Sequence, residues 1–277
     1  MEGQRRVYKC RKCGQPKKGH VCTYDESTSS VAEAEPPSTK AKAHKSNLLQ
    51  ENPQEEDKDL PLYFVVLDLE ATCDEDWNRN FYPQEIIEFS AVLWSTATHE
   101  VEDTFQVYVK PLVHPVLTPF CHHLTGIHQE WVDNGASLQE CLQMFHEWLE
   151  RHDLLLAPRP TSTMPASTSI TTTSSAFWLA TWSDWDLGTM LEAQCIRTCL
   201  DKEPYFNQWV DLKQLYMRYY SKKFRVKLSE AVASLGLGWE GAEHCALDDC
   251  RNTSRLLGKI IEHGHPVYLT SALPHAP

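Results

Sequence analysis

Asp68 and Glu70 stand two positions apart where the apolar run Phe64 to Leu67 ends. Side chains of a strand alternate between its two faces, so this spacing turns both carboxylates to one side. Paired carboxylates repel, and a hard divalent cation such as Mg²⁺ or Mn²⁺ bound between them removes the repulsion. A second acidic pair, Asp184 and Asp186 in Trp182-Ser-Asp-Trp-Asp186, follows the apolar segment Phe177 to Thr181. Either of these acids also fits a helix N-terminus, where the macrodipole favours negative charge. The third element is His244-Cys-Ala-Leu-Asp-Asp249, at the start of a helical pattern, with Asp249 on the helix and His244 on the loop before it. One short segment thus offers a metal ligand and a proton-transfer group. Alone, each element also reads as ordinary surface chemistry. Together, four carboxylates and a histidine supply what two-metal phosphodiester hydrolysis requires: ligands for two cations about 3.5–4 Å apart and a base for the attacking water.

Softer ligands sit near the start of the chain. Cys10-x2-Cys13-x6-His20-x-Cys22 offers a set suited to one tetrahedral Zn²⁺, although the spacing of its second half departs from common fingers. The same arm carries Arg5, Arg6, Lys9, Arg11, Lys12, Lys17 and Lys18, a charge that suits RNA or a protein surface equally. A second basic stretch runs from Lys213 to Lys227. It holds Lys213, Arg218, Lys222, Lys223, Arg225 and Lys227 among Tyr216, Tyr219, Tyr220 and Phe224. Cations for phosphates interleaved with rings for bases are a single-strand-binding composition, and the same rings serve equally as core.

The elements that must position these residues follow from the pattern around them. Tyr63 to Leu69 reads as a buried strand, and strands at Glu85 to Trp94 and Thr104 to Lys110 continue it into a meander, with a turn at His99 to Asp103. Helical periodicity from Ser137 to Arg151 begins with a capping box, Ser137 and Glu140. A fourth strand is expected at Phe177 to Thr181 and helices at 185–200, 211–220, 228–235 and 246–262. Strands first, then a helical half, predict an α/β domain with a mixed sheet flanked by helices. The domain is expected over 60–263, interrupted by a Ser/Thr/Pro-rich insertion at 157–176 that reads as disordered. The zinc-binding segment is expected at 1–24, a disordered linker at 25–59 and a frayed tail at 264–277.

Composition sets outer limits. The chain has 277 residues, a formal net charge of −12 and 42% hydrophobic residues, enough for a core but not for coating nucleic acid through bulk electrostatics. No apolar run is long enough to span a bilayer and the first residues lack a signal-peptide core, which predicts an intracellular protein, cytoplasmic or nuclear, with no membrane partner. Its ten cysteines are scattered, apart from those crowded near the start, which points to reduced thiols rather than a disulfide framework.

The motifs Val66-Leu-Asp-Leu-Glu-Ala-Thr72, Glu85-Ile-Ile-Glu-Phe89, Glu102-Asp-Thr-Phe-Gln106, Leu124-Thr-Gly-Ile127, Trp185-Asp186 and His244-x4-Asp249 resemble those of the DEDDh 3′→5′ exonucleases. The likeness is to the exoribonuclease branch that includes the histone-mRNA and RNA-interference exonucleases, over about residues 60–263. It implies a ribonuclease H-like fold, with Asp68, Glu70, Asp186 and Asp249 as ligands for two Mg²⁺ or Mn²⁺ and His244 as general base. It also implies contacts from Ala71, Thr72, Leu124, Thr125 and Gly126 to the terminal nucleotide, and single-stranded or 3′-overhanging RNA as substrate. DNA is the alternative substrate, since the sugar is read elsewhere through its 2′-OH. A non-catalytic RNA- or protein-binding module and a metal-dependent phosphatase are the readings from other classes. The intact acids oppose the first, and the lack of a His-rich binuclear ligand set opposes the second.

Overall fold

A computed structural model describes residues 60–75, 83–155, 176–221 and 225–273. The cysteine-rich arm, the 25–59 linker, nearly all of the 157–176 insertion, and Lys222 and Lys223 lie outside the described residues.

A mixed sheet of order β3-β2-β1-β4-β5-β6 forms the centre. Its meander consists of β1 (Tyr63–Ala71), β2 (Ile86–Ser95) and β3 (Val101–Tyr108), joined antiparallel. The connecting turn precedes Val101, earlier than the expected His99 to Asp103, because β3 itself starts there. Three helices follow: α1 (Pro119–Thr125), α2 (Gln129–Asp133) and α3 (Leu138–Arg151). The chain returns through β4 (Phe177–Thr181), parallel to β1. A π-helical turn, Trp185–Leu191, then runs into α4 (Glu192–Thr198) where one α-helix is expected over 185–200. Beyond these lie β5 (Gln208–Asp211), α5 (Leu212–Tyr219), α6 (Leu228–Ser234), α7 (Ala246–Glu262) and β6 (Ser271–Ala272). The last of these corrects the frayed tail: Trp209 and Gln208 pair with Ser271 and Ala272, closing the far sheet edge.

Alternation along β1 sorts the core into two layers. Val65, Leu67 and Leu69 face α3, whose Leu142, Phe145, Trp148 and Leu149 pack there with Phe89 and Phe105. Phe64 and Val66 face the opposite way, into a cluster with Leu256, Leu257 and Ile260 of α7 and Leu212 and Leu215 of α5. A central strand covered on both sides reads as a continuous apolar run, which explains Phe64 to Leu67. The capping box at the start of α3 is present as expected, with Glu140 N–H donating to Ser137 Oγ at 3.2 Å and Ser137 N–H to Glu140 Oε2 at 2.8 Å. Among the described residues no helix is long and apolar enough to cross a membrane.

Glu85 anchors the connection after β3. Its carboxylate accepts three successive backbone N–H groups, from Leu112 at 2.9 Å and from Val113 and His114 at 2.8 and 2.9 Å. It is buried, and its own backbone closes a loop with Thr72, whose N–H donates to Glu85 O at 2.8 Å. Removing one carboxylate orphans three donors at once. Glu85→Ala is therefore expected to lower the free energy of unfolding by about 2–3 kcal/mol, read from the urea midpoint at unchanged slope. A loss under about 0.5 kcal/mol would show that solvent serves these N–H groups equally well.

Candidate active site

The face of β1 that carries Phe64 and Val66 ends in Asp68 and Glu70, so both acids look toward α7 rather than α3. The parallel pairing of β1 and β4 brings the chain after Thr181 to the same end of the sheet. Asp186, in the first turn of the π-helical segment, is buried there and its Oδ1 accepts the Leu69 N–H at 3.2 Å. π-Turns recur at functional sites. Asp249 arrives from the first turn of α7.

Glu70, His244 and Asp249 each offer a ligand atom, and these atoms lie within 4.8 Å of one another. Asp68 and Asp186 stand just outside that triplet and within electrostatic reach of it. Burial, reinforced by the neighbouring acids, pushes the Asp68 and Glu70 carboxyls well above the usual range. Burial likewise raises Asp186 and Asp249, each to about 7. One Asp249 oxygen, Oδ1, is buried and has no hydrogen-bond partner among the described residues. An orphaned carboxylate oxygen among four clustered carboxylates is the donor chemistry that Mg²⁺ or Mn²⁺ uses, so the residues fit divalent cations.

His244 is exposed and sits on a left-handed turn with φ of 64°. The loop before it depends on Gly241, where a Cβ would fall 2.1 Å from Asp248 Oδ2. Asp248 is structural, accepting from Ala242 N–H at 3.0 Å and from Arg251 at 2.9 Å. Asp184 is likewise separated from Asp186 by its partners, the Trp209 indole at 3.0 Å and the Ser271 hydroxyl at 2.5 Å.

The expected substrate contacts divide. Thr72 and Thr125 are buried, and their hydroxyls accept backbone N–H groups of Glu85 at 2.9 Å and Ile127 at 3.2 Å. Ala71 is buried beneath Cys121, whose Sγ lies 3.8 Å from its carbonyl oxygen. Gly126 ends α1 at φ of 71°, and Leu124 is the half-buried side chain of that motif. In the basic segment Lys213 is half-buried and Arg225 exposed. The described rings there are engaged elsewhere. Tyr216 is in the core, while Tyr219 stacks on His265 at 4.4 Å and Tyr220 hydrogen-bonds His263 at 2.8 Å.

Sequence reasoning missed Glu88. It pairs across the ladder with Glu70, is buried, and accepts from Ser90 Oγ and Gln106 Nε2, both at 2.8 Å. The backbone N–H of Ala246, the first residue of α7, is also near enough to favour its charged form. The residue in the cap position, Cys245, provides no side-chain cap, so a carboxylate from β2 takes that place. The signal was available in the glutamate placed inside an otherwise apolar strand, Ile86-Ile-Glu-Phe89.

A sequence profile of the Exonuclease family matches residues 65–164. The crystal structure of the nuclease domain of 3'hExo, a DEDDh family member, bound to rAMP superposes with a TM-score of 0.67 at 30% identity, covering 77% of this chain and 98% of that one. The Drosophila melanogaster 3'-5' exonuclease Snipper is 35% identical over 216 residues, 76% of this chain and 73% of that protein. The chain belongs to the DEDDh exonuclease family. Membership implies divalent cations at the acidic site, and the likeness to 3'hExo extends the family's ribonuclease H-like architecture to this sheet. Another member, ERI1 exoribonuclease 2 of Mus musculus, is 42% identical over 218 residues, 78% of this chain but 31% of the mouse protein. The chain thus spans under a third of that relative's length.

Because the folded, metal-free cluster keeps protons that an unfolded chain has released, its stability falls as pH rises from about 4 to about 7. We expect the thermal midpoint in EDTA to drop across this window and Mg²⁺ to restore it at the upper end. Asp68→Asn is expected to raise the EDTA midpoint and to blunt the Mg²⁺ effect. A midpoint independent of both pH and Mg²⁺ would contradict a desolvated, mutually repelling cluster.

Proposed function

We propose that this chain is a 3′→5′ exonuclease that removes nucleoside 5′-monophosphates from single-stranded or 3′-overhanging RNA. The observation that carries the reading is the meeting of Glu70, His244 and Asp249 within 4.8 Å beside Asp68 and Asp186. In this reading Asp68, Glu70, Asp186 and Asp249 hold two Mg²⁺ or Mn²⁺, which when bound supply Lewis acidity at the phosphate and make water nucleophilic at neutral pH. His244 accepts the proton that the attacking water gives up. Its exposed ring faces the site on one side and solvent on the other, so the proton has a path away. The water oxygen forms the new P–O bond, and the 3′-oxygen of the preceding nucleotide leaves. Glu88 takes no part in bond making; it keeps the start of α7, and with it Asp249 and the His244 turn, at a fixed distance from β1.

RNA is preferred over DNA on the strength of the relatives, since the mouse relative is named an exoribonuclease and the 3'hExo structure holds rAMP. We extend the reading to the remaining segments: residues 60–263 form the catalytic domain, whose sheet is completed by β6 from the segment after it, with 157–176 an insertion and 25–59 a linker. Cys10, Cys13, His20 and Cys22 in 1–24 bind one structural Zn²⁺, which metal analysis of the purified chain and of Cys13→Ser would test by stoichiometry.

The deciding assay follows 5′-labelled single-stranded RNA and the matching DNA in Mg²⁺ and in EDTA. A ladder shortening from the 3′ end is expected in Mg²⁺ only, faster on RNA. Asp68→Ala should abolish it with the fold retained, and His244→Ala should slow it by about 10²–10⁴-fold while Mg²⁺ binding survives. Equal rates on RNA and DNA would remove the sugar preference. Intact RNA with well-folded wild type would favour a non-catalytic binding module.

A further inference from the structure

Beside the acidic site four aromatic rings stand in a row that the catalytic reading leaves unused. His122 and His128 lie with ring centroids 4.8 Å apart, His128 and Trp131 at 4.6 Å, and Trp131 and Tyr108 at 5.0 Å. His122, His128 and Trp131 are exposed and Tyr108 is half-buried. His128 holds the cap position of α2 without using its side chain for capping, and Trp131 keeps 37% of its surface in solvent. Shielding of the core explains Tyr108, which packs against the cluster that holds Ile87, Ile127 and Val132, but not three exposed rings beyond it.

The two ends of the row are tied to the strands that carry the acids. At one end His122 belongs to α1, which is fastened to the outgoing end of β1 through Thr118 Oγ1 to Cys73 O at 2.7 Å. At the other end Tyr108 pairs across the ladder with Glu88, which pairs in turn with Glu70. Tyr108 is near enough to Glu88 to feel its charge and lies close to Cys245, the neighbour of His244. The rings present π-faces with polar edges. His122 Nδ1 faces Ile127 O at 2.8 Å, which fixes the plane of the first ring.

Charge decides between grips. The chain carries −12 in formal charge, and the exposed acids Glu130 and Asp133 flank Trp131, so this surface does not hold a strand by neutralising its phosphates. Stacking needs no counter-charge and tolerates any base.

Resting on the exonuclease reading of the acids, we propose that His122, His128, Trp131 and Tyr108 form a stacking platform for the bases of a single strand whose 3′ end lies at Glu70 and Asp249. Trp131 and His128 thereby set the advantage of a long substrate over a short one.

The test compares kcat/KM for a dinucleotide and for an unstructured RNA of about twelve nucleotides, a length within the span of one single-strand site. Full-chain wild type, Trp131→Ala, Trp131→Phe and His128→Ala are each checked for fold by urea unfolding. Wild type is expected to favour the longer RNA. Trp131→Ala should cut that preference about tenfold, as expected for losing one stacked base, and Trp131→Phe should restore most of it. The tenfold factor should persist when NaCl is raised, because stacking releases no counterions. A preference unchanged in Trp131→Ala and His128→Ala overturns the platform and leaves this face to a protein partner. Equal losses on both lengths overturn it too, since they mark a structural role for the rings. Wild type that cleaves neither length overturns the exonuclease reading and the platform together.

Discussion

Four carboxylates gathered where two parallel strands end and a helix begins, Asp186 buried and the other three half-buried, repel one another. The surrounding structure can be understood as the means of holding that arrangement together. Alternation along β1 turns Asp68 and Glu70 toward α7, the parallel neighbour β4 delivers Asp186 to the same end, and the apolar face of α7 fixes Asp249 through Leu256, Leu257 and Ile260 two to three turns further along. Core burial supplies the stability that the cluster consumes, the usual relation between a fold and a strained functional site.

Two further glutamates hold the polar frame without joining the cluster. Glu85 gathers the loop after β3 and Glu88 caps α7 from a neighbouring strand, and both come from one short stretch of β2 and its approach. Each does with a carboxylate what a distant backbone would otherwise have to do, so strand, loop and helix move as a unit. The positive φ at His244 and the close approach of Gly241 to Asp248 complete that unit on the solvent side.

Much of this was readable in the chain before folding because it depends on short-range geometry. The two-residue spacing of Asp68 and Glu70 and the helical period around Asp249 fix directions locally. Asp184 and Asp186 could not be separated by spacing, because what separates them is contact with Trp209 and Ser271, remote in sequence. The helices α1 and α2, and strands β5 and β6, are too short to show a period, although Thr118, Pro119 and Gly126 carry the cap chemistry of α1. The aromatic residues near Tyr219 were legible as rings but not in their role, which is set by His263 and His265 from beyond α7.

The position of β1 also has a consequence for how the chain is made. Its two neighbours come from opposite directions in sequence: β2 follows at once, whereas β4 begins only at Phe177. A ribosome adding about 5–20 residues per second takes roughly 5–20 s to cover the interval, and through it the nascent meander has Phe64 to Leu67 as an uncovered apolar edge. The strand that carries Asp68 and Glu70 is thus, during synthesis, an apolar edge on which a chaperone can act.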